Sequence, residues 1–158
     1  MRVYLPASLP ILRSWAETRR VGPLPLTGFA VTPGLREWYA NADGEELEYA
    51  ATARAARASL RLVPGTEARR VVVVVDVPDS DAVVRDDEQE GAVRLIAPVP
   101  WSCVTCALVD VQEAEPAVAE AISAVDSADL GDEDAEFVVS GTEDHELGWY
   151  ATQEIADL

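Results

Sequence analysis

Lysine is absent from this 158-residue chain, and all twelve of its basic residues are arginine. A phosphate-binding Gly-x-x-x-x-Gly-Lys loop is therefore impossible, as is any Schiff-base chemistry that needs a lysine amine. Gly-x-Gly-x-x-Gly and Gly-x-Ser-x-Gly are missing too, which removes the dinucleotide fingerprint and the nucleophile elbow of a hydrolase. There is one histidine, His145, and there are two cysteines. A catalytic triad has no nucleophile to serve, and no disulfide framework is expected. No stretch reaches the roughly 18 to 20 apolar residues of a membrane helix, and Met1-Arg2-Val3-Tyr4-Leu5-Pro6 does not read as a secretory signal. A cytoplasmic protein is expected.

What the chain has in excess is carboxylate. Its 29 acidic residues against 12 arginines give a formal charge of −17. Binding to a polyphosphate backbone or an anionic membrane surface is driven by cations, so neither nucleic acid nor membrane is an expected partner. The distribution is more informative than the total. Residues 1 to 94 hold 14 acidic and 12 basic residues, whereas residues 95 to 158 hold 15 acidic residues and no basic one. Either the acidic part supplies solvated faces, or arginines from the first part neutralise it within the fold or across a homodimer.

Elements can be read from periodicity. Arg2 to Leu5 reads as a strand, and Ser8 caps a helix with Pro10 in its first turn and Ile11, Leu12 and Trp15 on one face. Gly28 to Thr32 reads as a second strand, followed by a short helix carrying Leu35, Trp38 and Tyr39. Asp43 and Glu46 form a capping-box pattern before Leu47, Ala51, Ala55, Ala58 and Leu62, which recur at helical spacing. Arg54, Arg57 and Arg61 make a second stripe on that helix. The unbroken run Val71 to Val75 is expected of a central strand buried on both faces. The acidic stretch from Asp76 to Glu90 reads as a mobile loop. Gly91 to Pro98 and Val104 to Val111 read as an antiparallel pair of strands. Pro116 starts a helix with Val118, Ala121, Ile122 and Val125 inward, Asp126 to Glu136 reads as an acidic loop, Phe137 to Val139 as a short strand, and Glu146 to Tyr150 as an edge strand.

Several motifs invite a chemical reading that their context refuses. Cys103-Val104-Thr105-Cys106 has redox and zinc spacing, but it enters a β-prone run, where positions three apart face opposite sides. Two inert thiols are expected, and no metal or other cofactor. Placing Gly131 as the sixth residue of a calcium loop would leave Ala128 and Leu130 at the third and fifth positions, where side-chain oxygens are needed. Binding candidates are Arg36, Glu37, Trp38 and Tyr39 in one run, Glu46, the stripe Arg54, Arg57 and Arg61, and the pair Trp149 and Tyr150, since Trp, Tyr and Arg are the residues that anchor interfaces. Arg36, Glu37, Tyr39 and Glu46 also form the one set on which acid–base catalysis without His or Cys could be built, given a concave pocket around them.

The opening Met1-Arg2-Val3-Tyr4-Leu5-Pro6-Ala7, then Phe29-Ala30-Val31-Thr32-Pro33 leading to Leu35-Arg36-Glu37-Trp38-Tyr39, then Glu45-Glu46-Leu47-Glu48-Tyr49-Ala50-Ala51 and the valine strand after Arg69-Arg70 resemble an uncharacterised family of small actinobacterial proteins. The resemblance covers most of the chain and implies no activity. It does make arginine- and alanine-rich usage an expected effect of GC-rich coding.

The expectation is an α+β fold, a two-layer single domain with a mixed sheet of five or six strands covered by helices at 8–19, 43–62 and 115–125. The expected function is non-catalytic binding or regulation, in which an acidic surface contacts another protein of basic character. The alternative is a small enzyme using carboxylate and arginine acid–base chemistry.

Overall fold

The computed structural model describes residues 1–158. Its elements run β1 (Arg2–Ala7), α1 (Leu9–Thr18), β2 (Arg20–Val21), β3 (Leu26–Phe29), α2 (Pro33–Trp38), α3 (Gly44–Ser59), β4 (Val71–Asp76), β5 (Ala82–Val84), β6 (Ala92–Leu95), β7 (Val99–Pro100), β8 (Val104–Asp110), α4 (Glu115–Asp129), α5 (Glu133–Ser140) and β9 (Leu147–Ala151), with a last turn of 3-10 helix at Thr152–Asp157. The class is α+β, as expected.

Local chemistry explains the helix starts. The Ser8 hydroxyl accepts from the Ile11 amide, the Thr32 hydroxyl from Leu35, the Asp43 carboxylate from Glu46 and the Asp132 carboxylate from Ala135. Each satisfies an amide that the first helical turn leaves without a partner.

Seven strands form one sheet in the order β5-β6-β3-β1-β4-β8-β9, and β2 pairs with β7 in a separate ribbon. Every pairing is antiparallel. The sheet is therefore larger than the five or six strands expected, and it is not mixed. Nor is the architecture two-layered. Val3, Leu5, Ala7, Val71, Val73 and Val75 face one side, where Leu9, Leu12 and Trp15 of α1 and Ile155 cover them. Tyr4, Val72 and Val74 face the other, beneath Leu35 of α2 and Leu47, Ala51 and Ala55 of α3. Five consecutive buried valines have no solvent face, so both sides of β4 must be covered. The hairpin of α4 and α5 builds a third cluster, with Val118, Ala121, Val125 and Val139 packed around Leu60 and Ala68 beyond the end of α3.

Four local expectations are corrected. The α3 helix ends at Ser59, and Leu62 is exposed rather than part of the apolar stripe. Ser59 explains the stop. Its hydroxyl donates to the Ala7 carbonyl at 2.7 Å and accepts from the Val71 amide at 3.1 Å, tying the helix end to β1 and β4.

The acidic stretch 76–90 is organised rather than loop-like: it contains β5, and Asp86 is a hub. The Asp86 carboxylate accepts from the Thr32 hydroxyl at 2.6 Å, the Gly91 amide at 2.8 Å and the Gly34 amide at 2.9 Å. Burial pushes its carboxyl up, but these hydrogen bonds outweigh it and hold the group below its ordinary value. A Cβ on Gly34 would overlap that carboxylate, so only glycine permits the approach.

The strands β6 and β8 do not pair; β3, β1 and β4 lie between them. Pro98-Val99-Pro100 diverts the chain into the β2–β7 ribbon instead of closing a hairpin. Finally, residues 126–129 close α4 and residues 133–139 belong to α5, with only the turn 130–132 between them. Asp132 caps α5 and three acidic residues occupy its first turn, where the helix dipole favours them, so Phe137-Val138-Val139 stays helical despite its β-branched pair.

Candidate functional site

The charge imbalance between the two parts of the chain meets along one side of α3. Residues 54 and 57 lie three positions apart on α3, and Arg61 follows in the turn just past its end, so the three guanidinium groups come from one stretch of chain. The Arg57 guanidinium donates to both Glu136 oxygens, at 2.9 and 2.7 Å, and to Asp129 at 2.8 Å. Arg61 pairs with Asp126 and with the second Asp129 oxygen. The carboxylates come from α4 and α5, and the pairing lies within one chain.

The electrostatics follow the geometry. The hydrogen bonds from Arg57 hold the Glu136 carboxyl below its ordinary value. For Asp129, burial pushes the carboxyl up, and the hydrogen bonds from Arg57 and Arg61 more than reverse it. Arg57 is in turn held more firmly charged, with the bond to Glu136 the largest cause.

Two further contacts lock the same region. Arg69 reaches Glu115 at 3.2 Å. Arg70 and Asp110 form a pair with side chains 5% and 0% exposed. Asp110 accepts from the Arg70 amide at 2.7 Å, from its Nε at 2.8 Å and from its Nη2 at 2.8 Å, and Nη2 also donates to the His145 carbonyl. Every polar atom of that carboxylate is therefore matched, as a buried charge requires.

These contacts engage Asp110, Glu115, Asp126, Asp129 and Glu136. The other ten carboxylates after residue 95 have no arginine partner. Among them Asp132, Glu133 and Asp134 stand on the exposed side of the α4–α5 hairpin. Two large apolar side chains stand there with them, Leu130 at 89% exposure and Phe137 at 83%.

A cleft of about 740 Å³ runs beside α3 and shares Arg54 and Arg57 with the arginine set; Tyr39, Glu45, Glu46, Tyr49, Gln89 and Glu143 also line it. The structure thus brings together four of the sequence candidates. It does not bring in the rest. Arg36, Glu37 and Trp38 are exposed on α2 and outside the cleft. Arg61 belongs to the α4 contact. Trp149 is exposed on the edge strand opposite Leu108, while Tyr150 packs against the core on the other face of the sheet. The set Arg36, Glu37, Tyr39 and Glu46 is split, so the acid–base constellation is not assembled.

Within the cleft Arg54 is weakly engaged. Its nearest carboxylate, Glu90, is 3.8 Å away, and its buried Nε has no acceptor. The two cysteines point to opposite sides of the sheet, Cys106 beneath α3 and Cys103 toward α1, and both are free thiols. Burial pushes the Cys106 thiol up, away from reactivity. No group of three His, Cys, Asp or Glu side chains is arranged to hold a metal ion, and no helix is long and apolar enough to cross a membrane.

Sequence reasoning missed Leu130 and Phe137, the Arg70–Asp110 pair and Asp86. The signals were weak but present. Asp110 is an aspartate at the end of a largely apolar strand, and Leu130 and Phe137 are large apolar residues that border a run of carboxylates.

The family model described as a family of unknown function (DUF6912) matches residues 1–158, and the chain belongs to that family. No curated protein and no solved structure matches it.

Proposed function

We propose that this member of a family of unknown function is a non-catalytic binding protein that docks a basic protein on the exposed side of its α4–α5 hairpin. One observation carries this reading: Leu130 and Phe137 stand almost fully exposed among carboxylates that no arginine of the chain neutralises. Burying side chains of that size stabilises a contact by about 1.5 to 3 kcal/mol each, before the cost of ordering the partners. Carboxylates around them favour a partner whose apolar contact is ringed by lysine or arginine, and they raise its rate of encounter. Such a face needs no bound group and no catalytic set. The cytoplasm is the proposed site of action, where two free thiols are at ease.

The test is capture from native lysate by the immobilised protein, compared with a Leu130→Ser/Phe137→Ser variant. Because both side chains are exposed, the substitutions should leave stability within about 0.5 kcal/mol. The wild type should retain a basic protein at ~50 mM salt and release it as the Debye length shrinks at ~300 mM, and the variant should not retain it. Retention of the same proteins by both forms, or of none by the wild type, would contradict the proposal.

A further inference from the structure

Opposite in character to the acidic hairpin is a groove of about 720 Å³ where the end of α1 meets the β2–β7 ribbon. Its wall includes Trp15, Arg19, Arg20, Pro23, Leu24 and Pro100, and no aspartate or glutamate lines it. The adjoining hollow, which shares Arg19 and includes Trp101, Ser102 and Gln153, has no acidic lining either, so this end of a chain with 29 carboxylates presents cations without them.

The arginines differ from the others as well. Arg2, Arg13, Arg54, Arg57, Arg61, Arg69, Arg70, Arg85 and Arg94 each have a carboxylate within 4.0 Å. Arg19 and Arg20 have none, and among the twelve only Arg36 shares that condition.

Arg19 also holds the one positive φ outside glycine, at 61°. It closes α1, with its amide donating to the Trp15 carbonyl. Glycine is the residue that this cap conformation favours, since a Cβ is disfavoured there. A long cationic side chain kept in a conformation that suits glycine, with no charge partner in the chain, points to a task for the side chain itself.

Apart from Ser14 and Thr18, the rest of the groove is stiff and apolar. The Trp15 ring is 5% exposed and its indole N–H is fixed on the Gly22 carbonyl at 2.7 Å. Proline rings at 23, 98 and 100 line the same groove with little conformational freedom to lose. The size falls within the range of small-molecule sites.

We propose that this groove binds a small organic anion with a flat apolar body, its carboxylate or phosphate head held by Arg19 and Arg20 and its body laid against Leu24 and the prolines above the buried Trp15. Guanidinium groups recognise both heads through paired N–H donors. This site is separate from the α4–α5 face and does not depend on it.

The probes are phenyl phosphate, benzoate, benzyl alcohol and inorganic phosphate, titrated into the full chain while amide and indole N–H signals of Trp15, Arg19 and Gly22 are followed by NMR. At least one aryl anion should bind saturably and move all three signals. Phenyl phosphate against benzoate tells which head is preferred. Benzyl alcohol and inorganic phosphate, each lacking one half of the ligand, should bind at least tenfold more weakly. Arg19→Gly should keep or raise Tm, because glycine suits the cap, yet weaken the aryl anion by about tenfold, as expected for one lost charge-assisted contact. Arg20→Gln should act in the same direction. Absence of saturable shifts at the three positions would overturn the proposal, as would equal binding of benzyl alcohol or unchanged affinity in Arg19→Gly.

Discussion

On the side of the α4–α5 hairpin that faces α3, Asp126, Asp129 and Glu136 each meet a guanidinium; on the exposed side, Asp132, Glu133 and Asp134 meet none. The two sides are a few residues apart in sequence and carry the same chemistry. What separates them is the position of α3 and the turn after it, which place Arg57 and Arg61 against one side. A surplus of one charge in a chain thus says little until each carboxylate is placed. On the inner side the charge helps hold α4 and α5 to the end of α3, and on the outer side it remains available to something else.

The contrast should be greatest at the buried end of the inner set. Asp110→Ala leaves the Arg70 guanidinium buried without its partner, which should cost about 3 to 5 kcal/mol in urea unfolding. Its effect should exceed that of neutralising any exposed carboxylate of the hairpin.

Acid should act next, and on the inner side. Asp129 and Glu136 have folded pKa values below their unfolded ones. A group depressed in this way contributes stability that is fully present above its unfolded pKa and is lost as pH falls through the folded value. Unfolded carboxyls titrate near about 4, so this contribution should be intact at neutral pH and decline progressively below about pH 4. Arg57→Ala should flatten that decline in a pH series of urea midpoints. An equally steep decline in the variant would show that the inner pairs are not its source.

The smallest effect is expected outside. Leu130→Ser/Phe137→Ser should leave the urea midpoint almost unchanged while removing partner capture. A large loss of stability would mean that the outer face belongs to the fold and not to a partner.

Much of the framework was readable because local and tertiary demands agreed. Ser8, Thr32 and Asp43 cap helices in the structure, and the first and third of these helix starts were read from the caps themselves. Val71–Val75 is an interior strand because an unbroken apolar run has no other home. The errors arose where distant residues decided. Asp86 orders its acidic surroundings through Thr32 and Gly34, more than fifty positions away. Phe137-Val138-Val139 has strand-like composition, yet the Asp132 cap and packing against α4 make it helical. The antiparallel order of the sheet also depends on long-range pairing that periodicity does not encode. Of the candidate binding residues, Tyr39, Glu46, Arg54 and Arg57 share a cleft since α2 turns directly into α3, whereas Trp149 and Tyr150 alternate across an edge strand and so could not act together.

The central claim, that arginines early in the chain and carboxylates late in it hold the fold together along α3, is tested most directly by a double-mutant cycle on Arg57 and Glu136. Urea unfolding at low salt would be measured for Arg57→Glu, Glu136→Arg and the two combined. Each single reversal should destabilise, and the combination should recover part of the loss, with a coupling of about 1 kcal/mol that shrinks at high salt. Losses that simply add, with no recovery in the double variant, would contradict it.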